Sequence, residues 1–401
     1  MLSILTIIFV VGLAIWSSTK DQMNRFFLAS TLVVLFLPYE IFSLSNNIST
    51  LSKISPFSLY IIIFYLCILV SGQAKWILSI HKSLLPFLIL VGYLVFLTAI
   101  KNPGKGFGTI IDNYVAVFLC LNFLVMNKSR ISEVDINGFL KLFYLSSILI
   151  IFEFFISYNI LYFSVFSNAE WAYSQWQFDQ YRSTGGIGHP LIVSTLYLMM
   201  LPIILYTKLP HKTPLFFITL LTIIATGSRA GVFLALIYSV FLMYKRNTLN
   251  VFIVFLLTSV VTAIVFYYFG LFDSIVYRVF NSEGSTAVRL AILNILDDVI
   301  SIGFFGNGIG STANFIESVN FYNAIEVSWV SLVVEAGFFG VLLFLFSWFY
   351  FLYRNDAFSS NYSVLILSFC MISSFNSIVV HTPILYILPL IALLNKQVRN
   401  I

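Results

Sequence analysis

Long apolar runs, separated by short polar loops, follow one another along almost the whole chain. Of its 401 residues, 60% are hydrophobic and only 9% are charged, whereas about a quarter of the residues in a soluble domain are charged. A chain with a mean hydropathy of +0.98 has far more apolar surface than a soluble globular protein could bury. Lipid must therefore replace water around these runs, and the sequence predicts an all-α polytopic membrane protein.

The runs predict a bundle of about 11–14 transmembrane helices that forms one integral membrane domain over residues 1–401. Several runs are shorter than the ~20 residues that a full span requires, so a pair of them can be re-entrant. The runs cover approximately residues 2–17, 26–44, 57–71, 84–100, 109–126, 139–165, 190–207, 214–226, 230–244, 251–270, 327–353, 362–380 and 383–394.

The positions of the basic residues predict which loops face the cytoplasm. Alternating the runs across a membrane places 14 of the 21 Lys and Arg residues inside, as expected for cytoplasmic loops. Two long loops, residues 166–189 and 271–326, then face away from the cytoplasm. The net charge of +5 comes from basic residues in the short loops between apolar runs, and it does not indicate nucleic-acid binding. The aromatic residues of the first loop either anchor it to lipid headgroups or stack on sugar rings.

A short amphipathic helix is predicted within the second loop, over residues 285–301. Ser285 or Thr286 can cap it, and Val288, Ile292, Ile295 and Val299 recur at three- and four-residue spacing. Such a helix is expected to lie flat on the membrane surface, with its polar face toward the aqueous mouth of the protein.

Arginines in the outward loops are candidate ligands for an anion, because a guanidinium stays charged and binds pyrophosphate bidentately. Arg229 lies in the segment Gly227-Ser228-Arg229-Ala230-Gly231, where glycines permit close approach of the backbone and a helix beginning at Ala230 would favour an anion. The alternative is a turn whose arginine reaches lipid headgroups. Further candidates are Arg182, Arg278 and Arg289.

A general base is expected among the acidic and histidine residues near the ends of apolar runs. Glu326 lies where the second loop re-enters an apolar run, and partial burial there would suit a base, although a boundary glutamate facing water is as common. His189 precedes Pro190 at a helix start, so it is either a neutral base or a capping residue. Glu317 is a further candidate.

No pattern in the sequence indicates a metal or another cofactor. The four histidines are scattered, and Cys67, Cys120 and Cys370 lie in apolar runs without ligand or disulfide spacing, which is typical of packing residues. The run Gly306-Asn307-Gly308-Ile309-Gly310 lacks the strand and helix of a dinucleotide site and predicts a tight, flexible turn.

Glu153 lies in the middle of an apolar run, where a carboxylate is costly. It either pairs with an arginine inside the bundle or faces a hydrated cavity, and it favours a transport function.

Three patterns occur in order along residues 180–345. They are Arg182-x-x-Gly185-x-x-Gly188-His189-Pro190, then Gly227-Ser228-Arg229-Ala230-Gly231, and then Arg289 followed by Gly306-x-Gly308-x-Gly310 and Glu335-x-Gly337-x-x-Gly340. In a many-helix protein, this ordered set resembles the O-antigen polymerase and ligase superfamily of bacterial membrane proteins. The resemblance covers under half of the chain, and the N-terminal half is similar only in being hydrophobic.

The resemblance implies a metal-independent glycosyltransferase that acts on undecaprenyl-pyrophosphate-linked oligosaccharide at the periplasmic face. Ligases of the superfamily typically carry His-Asn nine residues before the glutamate of Glu-x-Gly, where this chain has Glu326 and Val327. This difference favours the polymerase, which joins repeat units while they are lipid-linked, and the family implies a chain-length regulator as a partner. The alternatives are the ligase, which transfers polymer to lipid A-core, and a flippase for the lipid-linked oligosaccharide.

The expected catalytic residues are Arg229, Arg289 and Glu326, with the arginines on pyrophosphate and the glutamate on the acceptor. Substrate binding is expected from Arg182, Arg278, His189 and Ser228. Neither a metal nor a cofactor is expected.

Overall fold

The computed structural model describes 15 stretches of the chain, and every regular element in them is helical. The described residues are 2–18, 23–37, 54–71, 79–103, 106–127, 133–156, 158, 160, 183–187, 190–206, 212–228, 231–236, 291–320, 325 and 327–355. Four helices are long and apolar enough to cross a membrane: Lys82–Lys101, Phe107–Met126, Asn137–Ile156 and Ser328–Arg354. The fold is thus that of an α-helical membrane protein, as the composition predicts.

The helices lie close to the predicted runs. We label them α1 (Leu2–Ser18), α2 (Met23–Leu35), α3 (Pro56–Val70), α4 (Leu85–Lys101), α5 (Phe107–Met126), α6 (Glu133–Ile156), α7 (Pro190–Tyr206), α8 (Lys212–Ala225), α9 (Leu296–Ser301), α10 (Thr312–Ser318) and α11 (Ser328–Arg354). Predicted runs beyond residue 355, at 251–270 and in the second part of 230–244 lie outside the described residues, as does the loop at 166–182.

The chain divides into two compact units. Unit 1 comprises residues 1–142 and 288–401, and unit 2 comprises residues 143–287. The prediction of one membrane domain and two periplasmic loops stays a prediction.

Aromatic side chains form the core of unit 1 between α2, α3 and α5. The ring of Phe27 lies 4.8 Å from Phe64 and 4.1 Å from Phe123, between ring centroids. All three side chains are buried, and large aromatic groups contribute most to such packing. On the neighbouring α1, the Ser17 hydroxyl lies 2.9 Å from the Tyr60 hydroxyl, so the polar ends of these side chains satisfy each other.

Helices α4 and α11 pack side by side and run in opposite directions. Near the start of α4, the ring of Phe87 meets Trp348 late in α11 at 5.1 Å, whereas Tyr93 meets Phe339 at 5.0 Å closer to the start of α11. The later residue of one helix thus faces the earlier residue of the other. Residues 303–310 form a loop that is hydrogen-bonded to both of these helices.

The predicted amphipathic helix is present in its described part. A 3₁₀ turn at Ile292–Ile295 leads into α9, while residues 285–290 lie outside the described residues. Ile292, Ile295 and Val299 are buried in a cluster with Phe315 and Val334, while Asp297 is exposed. The predicted apolar face therefore packs against α10 and α11.

Candidate functional site

Most of the predicted site residues fall outside the described part of the chain. These are Arg182, His189, Arg229, Arg278, Arg289 and Glu326. Ser228 is described, and so are Glu335 and the glycines of the ordered motifs other than Gly188. The roles assigned to the six other residues stay predictions.

Helix α11 is broken at Gly337, which has φ 70° and ψ 177° inside an otherwise helical run. In an unbroken helix, the amides of residues 338–340 would donate to the carbonyls of residues 334–336. The break frees these carbonyls within an apolar span, where each unsatisfied group would cost several kcal/mol, on the order of 2–7. The structure must therefore supply other donors.

A segment that we call the glycine loop, residues 303–310, supplies two of these donors. The Asn307 amide donates to the Val334 carbonyl over 3.0 Å, and the Gly308 amide donates to the Glu335 carbonyl over 2.8 Å. In return, the Phe339 amide donates to the Phe304 carbonyl over 3.0 Å. The predicted flexible turn is thus a loop fixed to a transmembrane helix by backbone hydrogen bonds.

Tyr93 of α4 supplies the third donor. Its hydroxyl lies 2.7 Å from the carbonyl oxygen of Ala336 and 2.8 Å from that of Phe305. One side chain therefore joins α4, α11 and the glycine loop.

Glycine is required on both sides of the contact between the loop and the helix break. A Cβ added to Gly306 would lie 2.3 Å from the amide nitrogen of Gly337, and one added to Gly337 would lie 2.4 Å from that of Gly306. Both residues have positive φ, a backbone conformation that favours glycine. Two motifs that the sequence shows separately thus form one interlocked structure.

The Glu335 carboxylate fixes the end of the glycine loop. Its Oε1 accepts a hydrogen bond from the Gly310 amide at 3.0 Å and another from the Thr312 hydroxyl at 2.8 Å. Only 4% of Glu335 is exposed, and burial of a carboxylate is tolerated when hydrogen bonds replace its hydration. Glu335 therefore connects α11 to both the loop and the start of α10.

The end of α4 holds the glycine loop from its other side. The Ile309 amide donates to the Thr98 hydroxyl, and the Asn102 side-chain amide donates to the Ile309 carbonyl, each over 2.9 Å. A Cβ on Gly106 would lie 2.0 Å from that same carbonyl oxygen, so the start of α5 also closes against the loop.

A second buried acid of unit 1, Asp112, lies in a π-helical turn of α5 at Ile111–Val115. The Ser55 amide donates to its Oδ1 over 2.9 Å, and the hydroxyls of Ser55 and Ser58 donate to the same oxygen. Single π-turns occur often at functional sites. Asp112 is not among the residues predicted for the site, although an Asp-Asn-Tyr sequence inside an apolar run signals it.

In unit 2, the first two ordered motifs meet. The Ser183 amide, next to Arg182 in the sequence, donates to the Ala225 carbonyl over 3.1 Å at the end of α8. The Gly185 amide donates to Oε2 of Glu153 over 3.0 Å. Glu153 is fully buried, and the carboxylate thus holds the first motif against α6.

Ser228 caps the helical residues 231–236, which follow the second motif. Its hydroxyl oxygen accepts from the Gly231 amide at 3.1 Å, and its carbonyl accepts from the Val232 amide at 2.9 Å. This is the geometry of an N-cap residue. Ser228 is buried, and its predicted contact with substrate stays a prediction.

Small residues bring this helix start close to α7. A Cβ added to Gly231 would lie 1.8 Å from the Ser194 hydroxyl oxygen. The hydroxyls of Ser194 and Ser183 are buried and have no hydrogen-bond partner within the described stretches, which is uncommon for buried polar atoms. Unit 2 thus has polar groups beside both of its arginine motifs.

Comparison of the chain with protein-family models, curated proteins and solved structures finds no match. Within the residues that the structure describes, no group of three or more His, Cys, Asp or Glu side chains could hold a metal ion.

Proposed function

We propose that this protein is an O-antigen polymerase at the periplasmic face of the bacterial inner membrane. It joins undecaprenyl-pyrophosphate-linked oligosaccharide repeat units into polysaccharide. An acceptor hydroxyl attacks the anomeric carbon that carries the donor's pyrophosphate. The glycosidic bond forms, the bond to pyrophosphate breaks, and the hydroxyl proton passes to a base. This chemistry requires alignment of the two substrates, cations for the leaving group and the base.

The observation that carries the proposal is the interlock of the glycine loop with Glu335-x-Gly337-x-x-Gly340. Both segments belong to the ordered set on which the family resemblance rests. They meet where Gly306 and Gly337 leave no room for a Cβ, so this fold requires glycine at both positions, and that requirement supports the proposal. The chain that carries these motifs has the fold of an α-helical membrane protein, which also agrees with the proposal.

The contact between the first two motifs is a second support. Ser183 and Ala225 share a backbone hydrogen bond, which ties together the segments that carry Arg182 and Arg229 in the sequence. In the proposal, Arg229 and Arg289 bind pyrophosphate, and Arg182 and Arg278 assist them.

Glu326 activates the acceptor in this proposal, and His189 and Ser228 take part in substrate binding. A chain-length regulator is the proposed protein partner. The ligase remains the alternative enzyme, with lipid A-core as its acceptor.

Transport of the lipid-linked oligosaccharide is the second candidate, and buried acids favour it. Glu153, which the sequence indicates, is joined by two further acids of this kind among the described residues. Asp112, Glu153 and Glu335 are all buried within candidate membrane spans, and acids there often mark transport pathways. Each of them accepts a hydrogen bond from the amide or hydroxyl groups of a neighbouring segment. These bonds fit an anchoring role, so we rank the polymerase first.

A deletion strain distinguishes the candidates when its lipopolysaccharide is resolved by size on a gel. Core that carries a single repeat unit, with the ladder lost, supports the polymerase. Bare core with lipid-linked polymer accumulating outside indicates the ligase. Bare core with single lipid-linked units on the cytoplasmic face indicates the flippase. An unchanged ladder excludes all three.

A further inference from the structure

The glycine loop extends along two transmembrane helices at once. On α11, Phe304 is bonded to Phe339, whereas Asn307 is bonded to Val334, nearer the start of that helix. On α4, Ile309 is bonded to Thr98 and Asn102 at the helix end, whereas Phe305 is bonded to Tyr93 further back. Phe304 and Phe305 are therefore the part of the loop furthest from the start of α11 and from the end of α4.

The depth of this point follows from helix geometry. Tyr93 lies eight residues before Lys101, which is exposed at the end of α4; at 1.5 Å per residue this is about 12 Å. Gly337, which contacts the Phe304 carbonyl, lies nine residues after the first residue of α11, which is about 14 Å. The hydrocarbon core of a bilayer is about 30 Å thick. With Lys101 at the membrane edge, where basic residues commonly lie, the two phenylalanines would lie near the middle of the hydrocarbon core.

Many backbone polar groups of the glycine loop have the hydrogen-bond partners that this depth requires. Non-helical backbone in the hydrocarbon region is tolerated only where protein or trapped water satisfies its polar groups. Here, Phe304, Phe305, Asn307, Gly308 and Ile309 all make hydrogen bonds to α4 or α11 through their backbone groups. A loop in water would not need so many partners from neighbouring helices, because water could satisfy its backbone groups.

The side chains at the deepest point face outward. Phe304 is 52% exposed and Phe305 is 57% exposed, and both rings lie near Phe339, with centroids at 5.4 and 6.3 Å. Phe338, the residue before Phe339, begins an exposed apolar stripe that follows one face of α11 at helical spacing. This stripe consists of Phe338, Leu342, Phe346, Phe349 and Tyr353. On a membrane-spanning helix, such a stripe contacts lipid.

From these observations we propose that the glycine loop is re-entrant and that Phe304 and Phe305 contact the acyl chains of the bilayer. The occupant of this surface is hydrocarbon, because the patch is apolar, lies at mid-membrane depth and continues the lipid-facing stripe of α11. Part of the predicted outward loop at 271–326 then lies within the membrane. The inference depends on the fold of unit 1 alone and stands or falls independently of the proposed function.

Spin labels can test the proposal in protein reconstituted into phosphatidylcholine vesicles. Single cysteines replace Phe304 or Phe305 in a background without Cys67, Cys120 and Cys370, and each carries a nitroxide. Collision rates are measured with oxygen, which concentrates in hydrocarbon, and with a water-soluble nickel chelate. L342C on α11 is the hydrocarbon control, and S318C at the exposed end of α10 is the aqueous control.

We expect F304C and F305C to give oxygen-to-nickel ratios similar to that of L342C and well above that of S318C. Ratios similar to that of S318C would place the loop in water, and protection from both reagents would mean that protein covers the patch. Either result would overturn the proposal.

A second measurement uses the unsubstituted protein, so that misfolding of a variant cannot affect the result. Photolysis in vesicles with a diazirine-bearing acyl-chain lipid should label the peptide that contains Phe304 and Phe305. Absence of label there, with label present on the stripe of α11, would also refute the proposal.

Discussion

Replacing Gly337 with alanine should detach the glycine loop from α11. The added Cβ would lie 2.4 Å from the Gly306 amide nitrogen and 2.4 Å from the Phe304 carbonyl oxygen. Both atoms belong to the backbone of a loop that is bonded on two sides, so neither can move by rotating a side chain. The conformation with φ 70° and ψ 177° is also one that alanine adopts only under strain.

The expected cost combines this strain with lost hydrogen bonds. A non-glycine residue in such a conformation costs about 1–3 kcal/mol. Four hydrogen bonds span the break: three between the loop and α11, and one from Tyr93. At roughly 0.5–1.5 kcal/mol each, their loss adds about 2–6 kcal/mol. The sum, about 3–9 kcal/mol, is comparable to the whole stability of many domains.

The assay is thermal unfolding of the purified protein in detergent, measured as the fraction that stays monodisperse on size exclusion. G337A should have a much lower midpoint than the wild type. Gly92→Ala is the matched control, because Gly92 lies in α4 beside Tyr93 and an added Cβ meets nothing within 4 Å. It should be neutral or slightly stabilising. A midpoint for G337A equal to those of the wild type and G92A would refute the interlock.

Five further substitutions test individual groups. Tyr93→Phe removes a hydroxyl that serves two carbonyls, so it should lower stability by about 1–3 kcal/mol, and an unchanged melting midpoint would contradict this. Glu335→Ala should lower the midpoint more than Glu335→Gln, whose amide oxygen can still accept from the Gly310 amide; equal effects would show that charge and not hydrogen bonding matters. Arg229→Ala and Arg289→Ala should each abolish polymer at normal protein levels, as judged by lipopolysaccharide gels and immunoblots, and normal chain length in both would exclude the assigned roles.

The helical elements are largely predictable because each apolar run carries its own boundaries. Pro190 opens a run predicted to end near residue 207, and α7 covers Pro190–Tyr206. The three- and four-residue spacing of Ile292, Ile295 and Val299 predicts one apolar face, and all three side chains are buried. Local periodicity is sufficient for such predictions, because it depends only on neighbouring residues.

The glycine loop was less predictable, because its conformation depends on distant residues. Its sequence alone favours a tight, flexible turn, but hydrogen bonds to Tyr93, Thr98 and Asn102 fix it from about 200 residues away. Hydrophobic periodicity contains no information on such partners. The repeated glycines do signal close backbone approach, but they do not identify the approaching segment.

The buried acids show the same limit. Glu335 stands in the sequence only as part of Glu-x-Gly, and nothing nearby indicates that Gly310 and Thr312 bind its carboxylate. The acid Asp112 is visible inside its apolar run, but the run gives no sign that Ser55 and Ser58 bind its carboxylate. Each carboxylate is stabilised by hydrogen-bond donors from another segment, and only the tertiary structure identifies those donors.

The most direct test of the proposed function is polymerisation by the purified protein. Lipid-linked repeat units extracted from the deletion strain are incubated with the protein in vesicles containing a chelator of divalent metals, and the products are resolved by size. The polymerase proposal predicts a ladder of lipid-linked polymer that forms with the wild type and is absent with R229A and R289A. Units that cross the bilayer without any elongation would contradict the proposal and indicate transport.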